Sequence, residues 1–534
     1  MKKIILAISI QLSAISLFAQ TLNVQVGNVT YQFPAAQAGA MPFSDGTTLT
    51  VMNKAFALSE VDAMYVDETA VTDNLVSIVY GSSSAAVTIA GNVAQYVSPT
   101  INGAHVTIAQ SNTDAVNNDE ITYQLSGTTT NGSFGLSGSY KATVALAGLT
   151  LTNPNGAAID ITNSKRIQLS AKSGTNNTLT DCSSGSQKAC VYSKGQLQIQ
   201  GNGTLNVAGN TKHGIKSASY ISIKNLTLNI TSTVGDGINC EEYMEIKSGV
   251  ITLSGIGDDG FQCDLGGTTS TGITTDHEDE DTGNIYISGG SITVSCQYKG
   301  IKAEGDLTIS DGVISVTSKA AASSNGNHWG GNSSTSSPEA IESKGAMTIS
   351  GGQIYAYSAD DAINAGGHLT ISGGMVYAHS TSNDGIDSNG NCYIKGGLVF
   401  AISASSPEVA IDANTEGGYK LYVQGGTIVA IGGLESGASL TQTCYKASSW
   451  SKNSWYALTV GSDVFAFKTP SSGGSTMVVS GASTPTLKSG VTASGTEIFD
   501  GVGYYPASVN GGSSVSLSSY SGGGGGPGGG GHRW

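Results

Sequence analysis

Acidic side chains recur along this sequence at matching points of a repeating pattern. Asp236, Glu241, Asp258, Asp259 and Asp264 fall on two successive repeats, and Glu339, Glu342, Asp360, Asp361, Asp384, Asp387 and Asp412 on later ones. If successive repeats stack at about 4.8 Å, the spacing of strands in a sheet, two carboxylates one repeat apart repel by about 3.5 kcal/mol at an effective dielectric near 20. A bound Ca2+ removes that repulsion, because it accepts about six to eight oxygens in flexible geometry. The expected calcium ligands are Asp236, Glu241, Asp258, Asp259, Asp264, Asp360, Asp361, Asp384 and Asp387. Asp residues also form Asx turns by bonding nearby backbone N–H groups, a role that needs no ion, and the two readings are compatible. The spacing is that of neither an EF-hand nor the Gly-Gly-x-Gly-x-Asp nonapeptide, so the metal rests on carboxylate density.

Other residues suggest a ligand. His328-Trp329-Gly330-Gly331 sits in a polar insertion, where Trp329 is either a platform for a sugar ring or a side chain packed back on the body. With Asn364 and Asp387 it is the expected ligand contact. No catalytic residue is assigned. A lyase acting on acidic polysaccharide by β-elimination is the enzymatic alternative, and it needs a basic side chain to take the proton α to the carboxyl. The chain has only two arginines, Arg166 and Arg533, which leaves Lys302 and Lys299, beside an acidic cluster, as the candidate bases. A structural or adhesive surface protein is the further alternative.

The elements that position these residues follow from the period. A turn, a small residue and an apolar anchor recur with anchors at Ile215, Ile238, Phe261, Ile301, Ile341, Ile363, Ile386 and Ile411, so the intervals are 23, 23, 40, 40, 22, 23 and 25. Two repeats thus carry an insertion of 17 residues (40 − 23), the first holding Asp276-His277-Glu278-Asp279-Glu280-Asp281. Short alternating runs such as Leu307-Thr308-Ile309 and Leu369-Thr370-Ile371 between Gly-rich turns predict strands with one buried face. The predicted fold is all-β, a right-handed parallel β-helix of about 23-residue coils, with a small N-terminal β domain and a C-terminal β cap. Its expected divisions are a signal peptide at 1–19, a β-rich region at 20–120, the parallel β-helix at 121–435, the cap at 436–520 and a Gly-rich flexible tail at 521–534.

Composition narrows the partners. A formal charge of −15 argues against nucleic acid and anionic membrane surfaces. Met1-Lys2-Lys3 followed by the apolar run Ile4 to Phe18 reads as an export signal, too short and too polar to span a membrane, so a secreted or periplasmic monomer is expected. Seven cysteines in 534 residues do not make a disulfide scaffold. Cys240 and Cys263 share one inward position on consecutive repeats, as two buried thiols or as a bridge, and Cys182 and Cys190 are close enough in sequence to close a short loop.

Gly257-Asp258-Asp259-Gly260-Phe261, Lys299-Gly300-Ile301-Lys302-Ala303-Glu304-Gly305, Asp360-Asp361-Ala362-Ile363-Asn364-Ala365 and Asn383-Asp384-Gly385-Ile386-Asp387-Ser388 resemble the repeats of a known group. It is the exported, calcium-binding, polysaccharide-binding β-helix family whose members are called carbohydrate-binding domain-containing proteins. The resemblance covers roughly residues 120–530 and implies a fold similar to that of pectate lyases and binding to cellulose-like and pectin-like polymers. Lys299 and Val409 stand where the pattern would place acids.

Overall fold

The anchors line up. Ile215, Ile238, Phe261, Ile301, Ile341, Ile363 and Ile386 are successive partners across parallel strands, and all are buried. Register is kept across both 40-residue intervals, Phe261 to Ile301 and Ile301 to Ile341, so the added residues do not slip the ladder. These strands belong to a 12-stranded sheet that runs back to Val97–Asn102. The computed structural model describes residues 20–231, 234–267, 280–321 and 337–522. The expected signal peptide, Trp329, Asp276 to Asp279 of the acidic insertion, Arg533 and all of the Gly-rich tail beyond Gly522 lie outside those residues.

The other walls of the apolar core come from a 29-stranded sheet. One row in it stacks Ile285, Leu307, Met347, Leu369, Cys392 and Leu421, and a second stacks Ile292, Ile314, Ile354, Val376, Val399 and Ile428. On the first row the alternating residues Thr308, Thr348 and Thr370 face outward, so a run of three residues holds the core there, whereas on the second row Tyr377, Phe400 and Val429 point away from this core into a second apolar cluster. A column of glycines, Gly352, Gly374, Gly397 and Gly426, turns the chain between the two rows with φ of 81, 78, 84 and 90°. A Cβ on any of them would come within 2.7–2.9 Å of backbone in the preceding unit, so the conformation and the close approach both require glycine.

The expected architecture is corrected by the strand order. The chain is all-β, but the long strands Ala142–Thr152, Asn284–Cys296 and Leu307–Ser318 carry pairing round the corner, so two anticipated faces are one curved sheet. That sheet is of mixed direction. Thr21–Val26 pairs antiparallel with Val29–Pro34 and Ala63–Asp67, while Val29–Pro34 continues in parallel to Ala85–Ala90, so the N-terminal strands are part of the main sheet and not a small domain beside it. Toward the C-terminus, Met477–Ser480 lies antiparallel on Thr427–Ile431, and Trp455–Val460, Asp463–Lys468, Thr486–Ile498 and Gly503–Val515 close into an antiparallel barrel. The barrel's Phe465, Phe467 and Phe499 form one apolar cluster with Tyr377 and Phe400 of the large sheet. A right-handed parallel β-helix flanked by a separate domain and a cap thus gives way to a curved mixed sheet, a 12-stranded sheet and a closed barrel. A short interval alone fixes where strands repeat, whereas how sheets join depends on long-range pairing that the period does not encode.

All seven cysteines are free and buried. Cys240 and Cys263 are register partners with Sγ atoms 3.5 Å apart, and burial first, then the neighbouring Cys240 thiol, raises the pKa of Cys263. A bulky maleimide is expected to label neither thiol in the native protein and both after unfolding; rapid native labelling would contradict this packing.

Candidate cation sites and ligand groove

The residue two places before the anchor, in the units anchored by Ile215, Ile238, Phe261, Ile363 and Ile386, does a job that the sequence only half suggested. Its side chain accepts the backbone N–H of the equivalent residue one unit later. Asp259 N–H donates to Asp236 Oδ1 at 3.3 Å, Lys299 N–H to Asp259 Oδ1 at 2.8 Å, Asp384 N–H to Asp361 Oδ1 at 3.1 Å and Val409 N–H to Asp384 Oδ1 at 2.6 Å. His213 opens the series, its Nδ1 accepting the Asp236 N–H at 3.1 Å. These bonds satisfy donors at the turn that enters each strand, so the carboxylates are turn-capping groups across units whatever else they bind.

Two sets of acids also converge. Asp236, Asp258 and Asp259 each offer an oxygen within 4.8 Å of the others, and so do Asp384, Asp387 and Asp412. Oxygens about 2.3–2.6 Å from a common ion fall within such separations, so the donor sets fit a hard cation. At the first set, burial and then Asp236 and Asp258 raise Asp259 to about 7, against the opposing bond from Lys299 N–H. At the second, burial raises Asp387 to about 6, Asp384 to about 8 and Asp412 to about 11, with neighbouring carboxylates adding to the effect at Asp384 and Asp412. Asp361 behind them is also pushed up, by burial and then by Asp387, Asp384 and Asp360. Without a counter-charge these groups keep protons that ordinary carboxylates release.

Between the two sets the charges are compensated. Lys299 Nζ pairs with Glu339 and, at 2.8 Å, with Glu342, which also receives Lys344 Nζ at 2.5 Å. Burial would lower the Lys299 pKa, but Glu339 and Glu342 outweigh it and the net shift is upward. The Lys299 ammonium is therefore held protonated and is poorly suited to act as a base. Lys302 Nζ lies 3.9 Å from Asp259 Oδ2. Around these residues runs a groove of about 940 Å³, lined by Asp258, Lys302, Glu342, Lys344, Asn364 and Asn389 among others. It follows the outward face of three consecutive strands, Ile301–Ala303, Ile341–Ser343 and Ile363–Ala365, and reaches the turn residues Asp258 and Asp259 at one end and Asn389 at the other.

Several residues expected to bind metal have other partners. Glu241 pairs with Lys216 at 3.2 Å. Asp264 accepts from Gln262 Nε2 at 2.6 Å and Asn239 Nδ2 at 3.3 Å, and Asp360 accepts from Asn383 Nδ2 at 2.7 Å. Asn364, expected to touch ligand, lines the groove while its Nδ2 donates to Asp361 Oδ2 at 2.9 Å and Asp387 Oδ2 at 3.2 Å. Asp387 belongs to the second acid set. Glu280, at the end of the acidic insertion, is buried and accepts from Asn284 Nδ2 and Tyr286 Oη, which ties it to the large sheet. Glu435 was missed, although it raises both Asp384 and Asp412. Leu434 bridges to Ile411, 23 residues earlier, so one further step of the same interval would have found it.

Among the described residues, the groove is open and polar, with a carboxylate set near either end, and has room for an extended polar ligand. Residues 102–385, more than half of the chain, match the family of carbohydrate-binding domain-containing proteins, and the chain belongs to that family. A carbohydrate-binding domain-containing protein of Acetivibrio thermocellus is 29% identical over 111 residues, which is 19% of this chain and 39% of that relative, so the chain spans well under half of its length. A solved structure described as the polysaccharide lyase-like protein from C. thermocellum, gadolinium derivative, covers 46% of this chain and 92% of its own at 20% identity and a TM-score of 0.38. Likeness at that level fixes neither fold nor chemistry, and the architecture rests on the pairing described above. No helix among the described residues is long and apolar enough to cross a membrane.

Proposed function

We propose that the protein binds an extended polysaccharide, cellulose-like or pectin-like, along the outward face of the 12-stranded sheet and leaves it uncleaved. The observation that carries this reading is the groove over three consecutive strands and the turns at either end, whose repeating polar side chains match the repetition of a polymer. Calcium is the cation best suited to the two acid sets, with Asp236, Asp258 and Asp259 holding one ion and Asp384, Asp387 and Asp412 another. Bound there, it would neutralise carboxylates that otherwise repel an acidic glycan. Lys299, locked between Glu339 and Glu342, speaks against proton abstraction. The protein acts as an exported monomer on this reading, which for export rests on the charged and apolar character of Met1 to Phe18.

Immobilised cellulose and polygalacturonate, each tested with calcium and with chelator, provide the test. Retention on at least one polymer is expected, and retention on polygalacturonate should vanish with chelator. Failure to bind any polymer in either condition would defeat the proposal. Steady release of unsaturated uronides would replace it with the lyase reading, and Lys302→Ala would then be the first variant to examine.

A further inference from the structure

The main groove does not use the whole outward row. Followed toward the N-terminus in register, the row runs from Lys302 through Gln262, Asn239, Lys216, Tyr192 and Asp160 to Gly135, each residue the parallel partner of the next. At its far end a second depression of about 540 Å³ opens over Gly135, Asp160 and Tyr192, walled by the turns at 153–157 and 186–188.

Its walls are held before any ligand arrives. Asn153 Nδ2 donates to Ala157 O at 2.6 Å and the Asn155 N–H to Asn153 Oδ1 at 3.0 Å, which closes the first turn on itself. Gln187 Nε2 donates to Asp181 Oδ2 at 2.8 Å and Thr211 Oγ1 at 2.7 Å, which fastens the second turn to its neighbours. The floor dips because Gly135 lacks a side chain; a Cβ there would stand 3.3 Å from Thr107 Oγ1. Beside the dip lies the partly exposed Tyr192 ring, with Lys188 Nζ 5.0 Å from its centroid, and the exposed Asp160 carboxylate. A sugar offers C–H groups to a ring and hydroxyls to a carboxylate or ammonium, and this depression presents all three groups together.

Tyr192 and Lys302 are four strands apart in the row, about 19 Å at roughly 4.8 Å per strand. A mono- or disaccharide cannot reach both depressions, whereas a polymer lying along the row can. We infer that the depression over Gly135, Asp160 and Tyr192 is a second sugar subsite, which grips a distal stretch of the polysaccharide chain seated in the main groove. This rests on the polysaccharide reading of that groove. Linked contacts multiply affinity for long chains through effective concentration, so the subsite should matter for polymer.

Binding of hydroxyethylcellulose and polygalacturonate would be measured on the full chain with calcium present, for the unaltered protein, Tyr192→Ala, Asp160→Asn and Lys302→Ala. Asp160 is exposed, so its variant guards against a folding defect in Tyr192→Ala. A loss of about tenfold or more in polymer affinity in Tyr192→Ala and Asp160→Asn, with unchanged melting temperature, is expected. If the unaltered protein binds polymer and both variants bind it equally well, the second subsite is wrong while the main groove stands. If only Lys302→Ala is silent and the other two lose binding, the main groove is misplaced and this depression is the primary site. If the unaltered protein binds neither polymer, both readings fall.

Discussion

Calcium added to metal-free protein is expected to raise its melting temperature, and to raise it more at pH 8.5 than at pH 5 (about 3.5 units apart, on either side of the shifted Asp387, Asp259 and Asp384 carboxyls). Burial, with neighbouring carboxylates adding to it at Asp259 and Asp384, places Asp387 at about 6, Asp259 at about 7 and Asp384 at about 8 in the folded chain. All three lie above the unfolded value near 3.9. A group raised in this way favours folding below its unfolded pKa, and that contribution disappears as pH rises through the folded pKa. Metal-free protein should therefore lose stability from about pH 4, where the unfolded chain's carboxyls ionise, until the last of the three has ionised in the folded chain at about pH 9. The ion requires those ionised forms and releases their protons on binding, so its effect grows over the same window. One site at a hundredfold excess over its Kd contributes about 2.7 kcal/mol. Asp384→Asn separates the two roles of that residue. The amide oxygen can still accept the Val409 N–H, but the charge is gone, so the variant should fold and lose most of the calcium-dependent rise. Identical melts with calcium and with chelator across the whole pH range would leave the acids as turn caps alone.

The largest single-substitution effect is expected at Lys299. Its ammonium is the counter-charge for Glu339 and Glu342, whose side chains are each only 4% exposed. Replacing one member of a buried ion pair strands the remaining charge and costs about 3–5 kcal/mol. Lys299→Met should therefore lower stability by that amount in chemical denaturation. Adding Glu339→Gln should recover a substantial part, because the double variant removes one stranded carboxylate. An unperturbed Lys299→Met protein would show that the ammonium is not needed here, and would reopen its candidacy as a base.

Much of this arrangement was legible in the residues. The 23-residue interval located the anchors from Ile215 to Ile386 and their partners, because a strand pattern must keep register to bury one face. It also placed Asp259, Asp384 and Asp387 near other acids. The fusion of two faces into one sheet was not legible, because it depends on strands such as Asn284–Cys296 continuing through Gly289 and Gly290, where a turn was equally consistent with the letters. Nor was the meaning of Lys299. In the sequence it broke a run of acids and argued against metal on that unit; in the fold it neutralises two of them. Glu241, Asp264 and Asp360 matched the pattern and yet satisfy their oxygens with Lys216, Gln262 and Asn383. Position along a repeat says which way a side chain points, but not which neighbour reaches it first.

The carboxylate-to-amide series has a direction, and with it a consequence for length. Each link joins a side chain only to the unit that follows, so one unit can be exchanged for another at a join. Excising Ala362 to Asp384, 23 residues, would set Asp361 before Gly385 and bring its carboxylate to the Val409 amide that Asp384 now serves. The groove would shorten by one strand, about 4.8 Å, with its remaining rungs in order. The reach of the binding face is thus a variable that gene duplication or deletion can adjust in whole steps, and the minimum polymer length that the protein grips should follow it.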